Sequence, residues 1–244
     1  MLQVGAYSEI GGRSKNEDCI SGWHKGNKMC FLVADGLGGH GDGDLASRTA
    51  VDAIKTEWDG DVSAAAWQPL VTRAHESVQR LQTPSKQMKT TLVGLMMDEK
   101  QAVWAHVGDS RLYHFLDGSL VFQTQDHSAP QIAVLLGQIT PEQIRTSKDR
   151  ATIIKALGQP GEAPTAQVQT QPLEAGRHAF LLCSDGFWEY VLESEMEATL
   201  RSSHTAKQWL AKMRQKLQER APTGNDNNSA IVIWKDIEKE RDKP

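Results

Sequence analysis

The stretch FLVADGLGGHGDGD, residues Phe31 to Asp44, has two incompatible interpretations, and each of them implies a different fold. Its glycines form G-x-G-x-x-G after an apolar run and before a predicted helix, which is the pattern of a dinucleotide-binding turn: Gly36, Gly38 and Gly41. The same stretch is rich in acids, and Asp35 stands directly before the first of these glycines. A carboxylate there repels a pyrophosphate unless a cation lies between them. The stretch therefore holds either a nucleotide phosphate or a metal ion.

The surrounding sequence disfavours the nucleotide. A dinucleotide-binding fold needs a second parallel strand that ends in an acidic residue about 20 positions later. Residues 50–61 continue a helical pattern instead, and no G-K-[ST] follows the glycines as in a P-loop. We therefore predict a metal-binding loop and interpret the G-x-G-x-x-G match as accidental.

The composition is that of an ordinary globular protein. The 244 residues are 39% hydrophobic and 24% charged, and the formal net charge of -4 comes with Lys and Arg scattered along the chain. This charge distribution contains no cluster of basic residues of the kind that binds nucleic acid. Apolar runs fall far short of the roughly 20 residues that span a bilayer. The N-terminal residues lack a secretory signal pattern, and the cysteines are widely separated: Cys19, Cys30 and Cys183. We expect a cytoplasmic monomer with reduced thiols, no nucleic-acid partner and no membrane contact.

Short strands separated by turn residues dominate the sequence pattern. The predicted strands are Leu2–Ile10, Lys28–Ala34, Thr90–Met97, Gln101–Val107, Arg111–Leu116, Ser119–Thr124, Ala166–Gln171, His178–Cys183 and Ser229–Trp234. The predicted helices are Asp44–Trp58, Pro69–Leu81, Glu193–Arg201 and Thr205–Glu219. Asp117-Gly118 marks a hairpin. Because strands come in hairpin-linked runs rather than alternating with helices, the pattern predicts an α+β domain of antiparallel sheets covered by helices.

Four aspartates share one sequence context. Asp35, Asp109 and Asp185 each follow a predicted core strand, and Asp226 precedes the last strand. Any one of them is explained as a turn former, but the repeated context favours a common site, where clustered carboxylates repel one another unless cations neutralise them. Oxygen ligands without Cys/His spacing favour Mg²⁺ or Mn²⁺ over zinc.

The segment GGRSKNED adds a phosphate-binding group to this site. Arg13 suits bidentate binding of a phosphate, and Glu17 and Asp18 offer further metal ligands. A pair of cations can activate a water and stabilise in-line attack on a phosphate ester. The residues therefore predict metal-dependent hydrolysis of a phosphate ester.

In chain order, eight segments resemble motifs of the metal-dependent protein phosphatases of the 2C type: RSKNED, VADGLGGHGDGDLAS, KTTLVG, HVGDSRLY, QDHS, IIKALG, LLCSDGFW and NDNNSAIV. The resemblance implies a β-sandwich of two antiparallel sheets flanked by helices. It implies one domain over residues 1–236, with a small flap near 131–150 and a charged, flexible tail at 237–244. It further implies hydrolysis of phosphoserine and phosphothreonine in proteins by a metal-activated water, with the phosphatase opposing a Ser/Thr kinase.

The resemblance also implies a role for each matching residue. By this resemblance, Asp35 bridges two Mn²⁺ or Mg²⁺ ions, the Gly36 carbonyl binds one of them, and Asp185 and Asp226 complete the pair. Glu17 and Asp18 bind directly or through water, and Asp109 with Asp185 holds a third ion. Arg13 binds the substrate phosphate, and Asn227 and His40 support the site. Arg111 is interpreted as an internal salt-bridge partner.

The chain departs from the family pattern at three places. Leu37 stands where some members carry a proposed general-acid histidine, Lys89 replaces a glycine before TTL, and SKDR replaces H-P-x-R in the flap. These departures affect the expected proton donor and the substrate preference. Two other functions stay open at this point, namely a phosphatase-like scaffold that binds partners without catalysis and a phosphatase of small molecules.

Overall fold

The computed structural model describes residues 2–37 and 42–238, which contain eleven strands and six α-helices. The strands are β1 (Leu2–Glu9), β2 (Asp18–Lys25), β3 (Lys28–Leu37), β4 (Lys89–Thr90), β5 (Leu92–Met97), β6 (Gln101–Val107), β7 (Arg111–Leu116), β8 (Ser119–Gln123), β9 (Gln167–Pro172), β10 (Gly176–Cys183) and β11 (Asn228–Ile237). The helices are α1 (Gly43–Glu57), α2 (Ala64–Arg80), α3 (Ala129–Leu135), α4 (Asp185–Trp188), α5 (Glu193–Arg201) and α6 (Ala206–Arg220).

The strands form two antiparallel sheets. The first sheet has the order β1-β11-β10-β7-β8, and the second has the order β2-β3-β5-β6-β9 with the short β4 paired to β3. Apolar side chains such as Val33, Leu95 and Ile231 fill the space between the sheets. Helices α1 and α2 pack against the second sheet, while α5 and α6 pack against the first. The predicted α+β sandwich flanked by helices is confirmed.

Strands β5 and β10 show why the sandwich was visible in the sequence. Both of their faces are covered, so LVGLMM is buried throughout and β10 is buried from His178 to Cys183. Such continuous apolar runs bounded by turn residues predict core strands. The predicted hairpin is also confirmed, because Asp117 and Gly118 have positive φ values of 50° and 84° between β7 and β8. Positive φ at both central residues is the requirement of the tight hairpin turn.

Several elements differ from the predictions: the short helices α3 and α4 were not predicted, and the strand predicted at Thr90–Met97 is divided into β4 and β5. Strand β2 was not predicted, because it lies at a sheet edge, is only half-buried and therefore carries no clear apolar alternation. Helix α2 begins at Ala64 rather than Pro69, so the proline lies inside the helix. Proline there costs one backbone hydrogen bond, but Trp67, Leu70 and Val71 are buried against the second sheet and hold the helix in place.

The predicted flap near 131–150 contains regular structure. It is built from α3 and a 3₁₀ helix at Pro141–Thr146. Arg145 fastens the 3₁₀ helix by donating to the carbonyls of Trp188 and Val191 and to the Glu193 carboxylate. At the C-terminus, Ile237 is still part of β11, and residues 239–244 lie outside the described residues. Among the described helices, none has the length and apolarity that a membrane crossing requires.

Candidate active site

An acidic cleft of about 450 Å³ lies where strands of both sheets end. It brings together most of the residues that the sequence predicted: Arg13, Glu17, Asp35, Gly36, Asp109, Asp185, Asp226 and Asn227. Asp18 lies close behind the cleft, where its carboxylate is bound by Ser184. His40 lies outside the described residues. Side chains that are far apart in sequence therefore converge as the strand-end argument predicted.

Asp35 and Asp18 form an unfavourable pair at the centre of this site. They are directly opposite each other on β3 and β2, a position in which like charges destabilise a sheet. Burial, followed by the charges of Asp18 and Asp185, raises the pKa of Asp35 well above its usual value. Burial also raises the pKa of Asp18 to about 6. The fold therefore holds carboxylates together at an electrostatic cost, which is the mark of a cation site.

Asp185 and Asp109 extend the acidic cluster. Burial, together with the charges of Glu189 and Asp226, raises the pKa of Asp185 to about 7. Asp109 is 2% exposed, and burial followed by the charge of Asp185 raises its pKa well above the usual range. The first sheet thus contributes carboxyls at the end of β10, and the second contributes Asp109 after β6.

The backbone of Asp35 is fixed by two threonines that the sequence reasoning did not single out. Thr91 Oγ1 accepts a hydrogen bond from the Asp35 N–H at 3.0 Å, and Thr90 Oγ1 donates to the Asp35 carbonyl at 2.9 Å. Thr91 Oγ1 is also 2.7 Å from Ser110 Oγ, beside Asp109. The available signal was the pair of threonines in KTTLVG. Their hydroxyls join two of the acidic segments.

Ser184 connects the two sheets beneath the cleft, and it too was missed. Its hydroxyl donates to Asp18 Oδ2 at 2.8 Å, and the Ser229 N–H donates to Ser184 Oγ at 3.0 Å. Asp18 begins β2 of the second sheet, whereas Ser184 directly follows β10 of the first sheet and Ser229 lies on β11 of that sheet. A small hydroxyl at this point therefore fixes the acidic ends of both sheets relative to each other.

Asn227 holds the segment that carries Arg13 and Glu17. Its Oδ1 accepts a hydrogen bond from the Glu17 N–H at 2.8 Å. Its Nδ2 donates to the carbonyls of Ile10 and Lys15 at 2.8 and 2.9 Å. All three bonds reach residues more than 200 positions away in sequence. Asn227 therefore orients a loop of the cleft.

Arg13 lies at the rim of the cleft, where its side chain is 57% exposed. Its Nη2 donates to Asp226 Oδ2 at 2.5 Å. That hydrogen bond, followed by the charge of Asp226, raises the pKa of the guanidinium. A guanidinium has five N–H donors, so one bond to Asp226 orients Arg13 and leaves further donors for a ligand.

Arg111 is an internal salt-bridge partner, as predicted. It forms a bidentate pair with Asp126, with N···O distances of 2.8 and 2.7 Å and both side chains only 2% exposed. The guanidinium carbon lies 3.5 Å from the centroid of the Trp188 ring. Trp188 Nε1 in turn donates to the Asp109 carbonyl at 2.9 Å. Trp188 thus links the buried ion pair to the acidic cluster.

Comparison with known proteins assigns the family. Residues 6–226 match the family model described as Protein phosphatase 2C. The chain belongs to this family. A serine/threonine phosphatase, Stp, of Listeria monocytogenes is 32% identical over 226 residues, which cover 88% of this chain and 87% of that protein. The protein is therefore a metal-dependent protein serine/threonine phosphatase, as its motifs predicted.

Solved structures of similar phosphatases share the fold. The serine/threonine phosphatase Stp1 of Staphylococcus aureus is 27% identical, with a TM-score of 0.87 over 98% of this chain and 96% of that one. The catalytic domain of the phosphatase PstP, solved in complex with two manganese ions, is 28% identical with a TM-score of 0.78 over 98% of this chain and 99% of that chain. These similarities support the Mn²⁺ or Mg²⁺ dependence expected for this phosphatase.

The residues of the phosphatase fit divalent cations. Three buried oxygens of the acidic cluster have no hydrogen-bond partner within the described residues: Asp18 Oδ1, Asp109 Oδ1 and Asp185 Oδ1. Buried polar atoms are nearly always partnered, so these oxygens suit a hard cation. Within residues 2–37 and 42–238, no three Asp, Glu, His or Cys side chains are arranged to hold an ion by themselves. Backbone carbonyl and water oxygens are further ligands that a hard cation accepts in addition to carboxylates.

Gly36 is required by the close approach of α1 to β3. A Cβ at this position would lie 2.1 Å from the Gly43 carbonyl oxygen and 2.8 Å from the Glu17 carbonyl oxygen, both of them backbone atoms. We expect Gly36→Ala to lower the free energy of unfolding by more than about 2 kcal/mol, because overpacking against backbone cannot be relieved by a rotamer change. Urea denaturation measures the effect.

Gly224→Ala is the matched control for this substitution. A Cβ there meets no atom within 4 Å, so the free energy of unfolding should change by less than about 0.5 kcal/mol. Equal stabilities of the two variants would show that the contact between β3 and α1 is not as tight as the structure describes.

Proposed function

We propose that the phosphatase hydrolyses phosphoserine and phosphothreonine at a centre of two divalent ions bridged by Asp35, and that it reverses the action of a Ser/Thr kinase. The observation that carries the proposal is the convergence of carboxyls from both sheets around Asp35, with unpartnered buried oxygens on its neighbours. The manganese pair in the PstP structure supports the same number of ions. The targets are phosphorylated proteins, among them a Ser/Thr kinase or its substrates.

Each carboxyl has a distinct place in this proposal. Asp35, the Gly36 carbonyl, Asp185 and Asp226 would hold the two ions, Glu17 and Asp18 would bind directly or through water, and Asp109 with Asp185 would hold a third ion more weakly. When bound, the ions supply positive charge to the phosphoryl oxygens and acidify the attacking water. The protein contributes the geometry, because Thr90, Thr91 and Asn227 fix the segments that carry these ligands.

Arg13 binds and orients the phosphate in this mechanism. Its bond to Asp226 fixes one side of the guanidinium, and the remaining donors can hold phosphate oxygens in a bidentate contact. The phosphorus is thereby placed next to the carboxylate cluster, which converts a bimolecular encounter into a positioned reaction.

The proton for the leaving oxygen comes from water in this proposal. Leu37 lines the cleft where some family members carry a proposed acidic histidine, and leucine cannot donate a proton. Phosphate monoesters are among the slowest substrates to hydrolyse unaided, so stabilisation of the phosphoryl charge must supply most of the rate enhancement.

Hydrolysis of a phosphothreonine peptide tests the proposed function. We expect phosphate release in millimolar Mn²⁺ and its loss in EDTA, with recovery when Mn²⁺ is restored in excess. Calorimetric titration of the metal-free protein should find two tight ions per chain and one weaker ion. No release on several phosphopeptides from folded, Mn²⁺-saturated protein would contradict the proposal and favour a binding scaffold. Turnover confined to small phosphomonoesters would instead favour a small-molecule phosphatase.

A further inference from the structure

A second cavity adjoins the acidic cleft. It has a volume of about 460 Å³ and shares three lining residues with the cleft: Leu37, Ala151 and Ile153. Its other lining residues are two glutamines, one alanine and one lysine: Gln87, Gln159, Ala156 and Lys89. Because the two cavities share these lining residues, a peptide with its phosphoresidue in the acidic cleft can extend toward the second one.

The position of Lys89 is fixed relative to Asp35. Lys89 is paired with Leu37 across β4 and β3, and the next residue, Thr90, is paired with Gly36. Thr90 also donates its hydroxyl proton to the Asp35 carbonyl. Opposite residues of an antiparallel pair have Cα atoms about 4.5–5.5 Å apart, and two steps along a strand cover about 6.8 Å. The Cα of Lys89 therefore lies about 8–9 Å from that of Asp35.

That spacing matches a short segment of substrate. An extended peptide advances about 3.3 Å per residue, so a side chain two or three positions from the phosphoresidue reaches the second cavity. The residue at this position also departs from the family motif, because Lys89 stands where the motif has glycine.

Lys89 is the charged residue among those described that line the second cavity. Its neighbour Lys86 is already paired with Asp42 at 2.8 Å, whereas Lys89 has no ion pair within residues 2–37 and 42–238. The cavity therefore presents a positive charge and two amide side chains beside a cleft that is lined by carboxylates. Such a surface complements an anionic side chain.

We infer that Lys89 is a specificity residue that binds an acidic or phosphorylated side chain two or three positions from the phosphoresidue being hydrolysed. This inference rests on the proposed function, since it assigns the substrate class of the same site. The contact is solvent-accessible, so its effect on discrimination is modest, about three- to tenfold in kcat/KM. A phosphoserine, with nearly twice the charge of an aspartate, should have the larger effect.

Phosphothreonine peptides that differ at one position test this inference. The flanking positions two and three residues before and after the phosphothreonine carry Ala, Asp or phosphoserine in turn, and kcat/KM is measured in Mn²⁺ for threonine dephosphorylation. We expect the protein to prefer Asp over Ala at one of these positions by about three- to tenfold, and phosphoserine more strongly. The preference should vanish in Lys89→Met, reverse in Lys89→Glu and shrink in 1 M salt.

Two controls separate this inference from the proposed function. Lys100→Glu makes the same charge change at an exposed turn between β5 and β6 and should keep the preference of the unmodified protein. Turnover of p-nitrophenyl phosphate, which has no flanking residues, should be similar in all variants. The ratio of kcat/KM for the Asp peptide to that for the Ala peptide is compared between the unmodified protein and Lys89→Glu. If this ratio is the same in both proteins at every flanking position, the inference alone is overturned. Absence of Mn²⁺-dependent hydrolysis on all substrates would overturn the proposed function and the inference together.

Discussion

Asp35→Asn is expected to reduce Mn²⁺-dependent hydrolysis by at least about 10³-fold, because loss of even one preorganised electrostatic contact at an active site costs about 10²–10³ in rate. Asp35 faces Asp18 across the strands and lies among Asp185, Asp109 and Asp226. An amide oxygen of the same size keeps the packing but carries no charge to hold two cations. The measurement is kcat/KM on a phosphothreonine peptide, with metal stoichiometry determined by calorimetry on the same preparation.

The same substitution should make the metal-free protein more stable. Asp35 is held beside other carboxyls at an electrostatic cost, and burial disfavours its charged form, so a neutral side chain relieves repulsion. We expect a higher melting temperature for Asp35→Asn than for the unmodified protein in EDTA at pH 7. Asp52→Asn, at an exposed position of α1, is the control and should change neither property. Near-normal turnover in Asp35→Asn would refute the assignment of Asp35 as the bridging ligand.

Arg111→Ala should lower the free energy of unfolding by about 3–5 kcal/mol. The substitution leaves Asp126 buried without its bidentate partner. It also removes the guanidinium that lies over Trp188, whose indole N–H holds the Asp109 carbonyl. The loss of stability should therefore be accompanied by weaker binding of the third ion that we propose at Asp109. Guanidinium chloride denaturation and metal titration measure the two effects.

An exposed ion pair provides the comparison for Arg111. Arg73 is 3.1 Å from Glu57, and the side chains are 43% and 45% exposed, so Arg73→Ala should cost less than about 1 kcal/mol. The double variant Arg111→Met with Asp126→Leu should be more stable than Arg111→Ala, because no buried charge is left unpaired. A cost below about 1 kcal/mol for Arg111→Ala would show that the buried pair does not stabilise this part of the fold.

The sequence was most informative where local pattern and burial agree. Strands β5 and β10 were predicted because both faces are covered and their runs are continuously apolar. The hairpin at Asp117 was predicted because its turn chemistry is local. Strand β2 was missed, since an edge strand with half-buried side chains is held by its pairing with β3 rather than by its own composition.

The same distinction applies to the site. The residue types and their order indicated a metal-dependent phosphatase and named the carboxyls, because hard cations need oxygen ligands and phosphate needs a guanidinium. The sequence did not indicate that Ser184 joins the two sheets at Asp18, or that Trp188 links Arg111 to Asp109. It also did not place Lys89 beside the cleft.

By itself, the sequence determined the α+β class, the family and its phosphatase activity, and it predicted the set of acidic residues, since these depend on residue types and on periodicity along the chain. Only the tertiary structure decided which carboxyls face each other, which hydroxyls fix them and which cavity extends the cleft. These features depend on the register of β3 with β2 and β4 and on the stacking of two sheets. Contacts of this kind join residues far apart in the chain, so no local pattern encodes them.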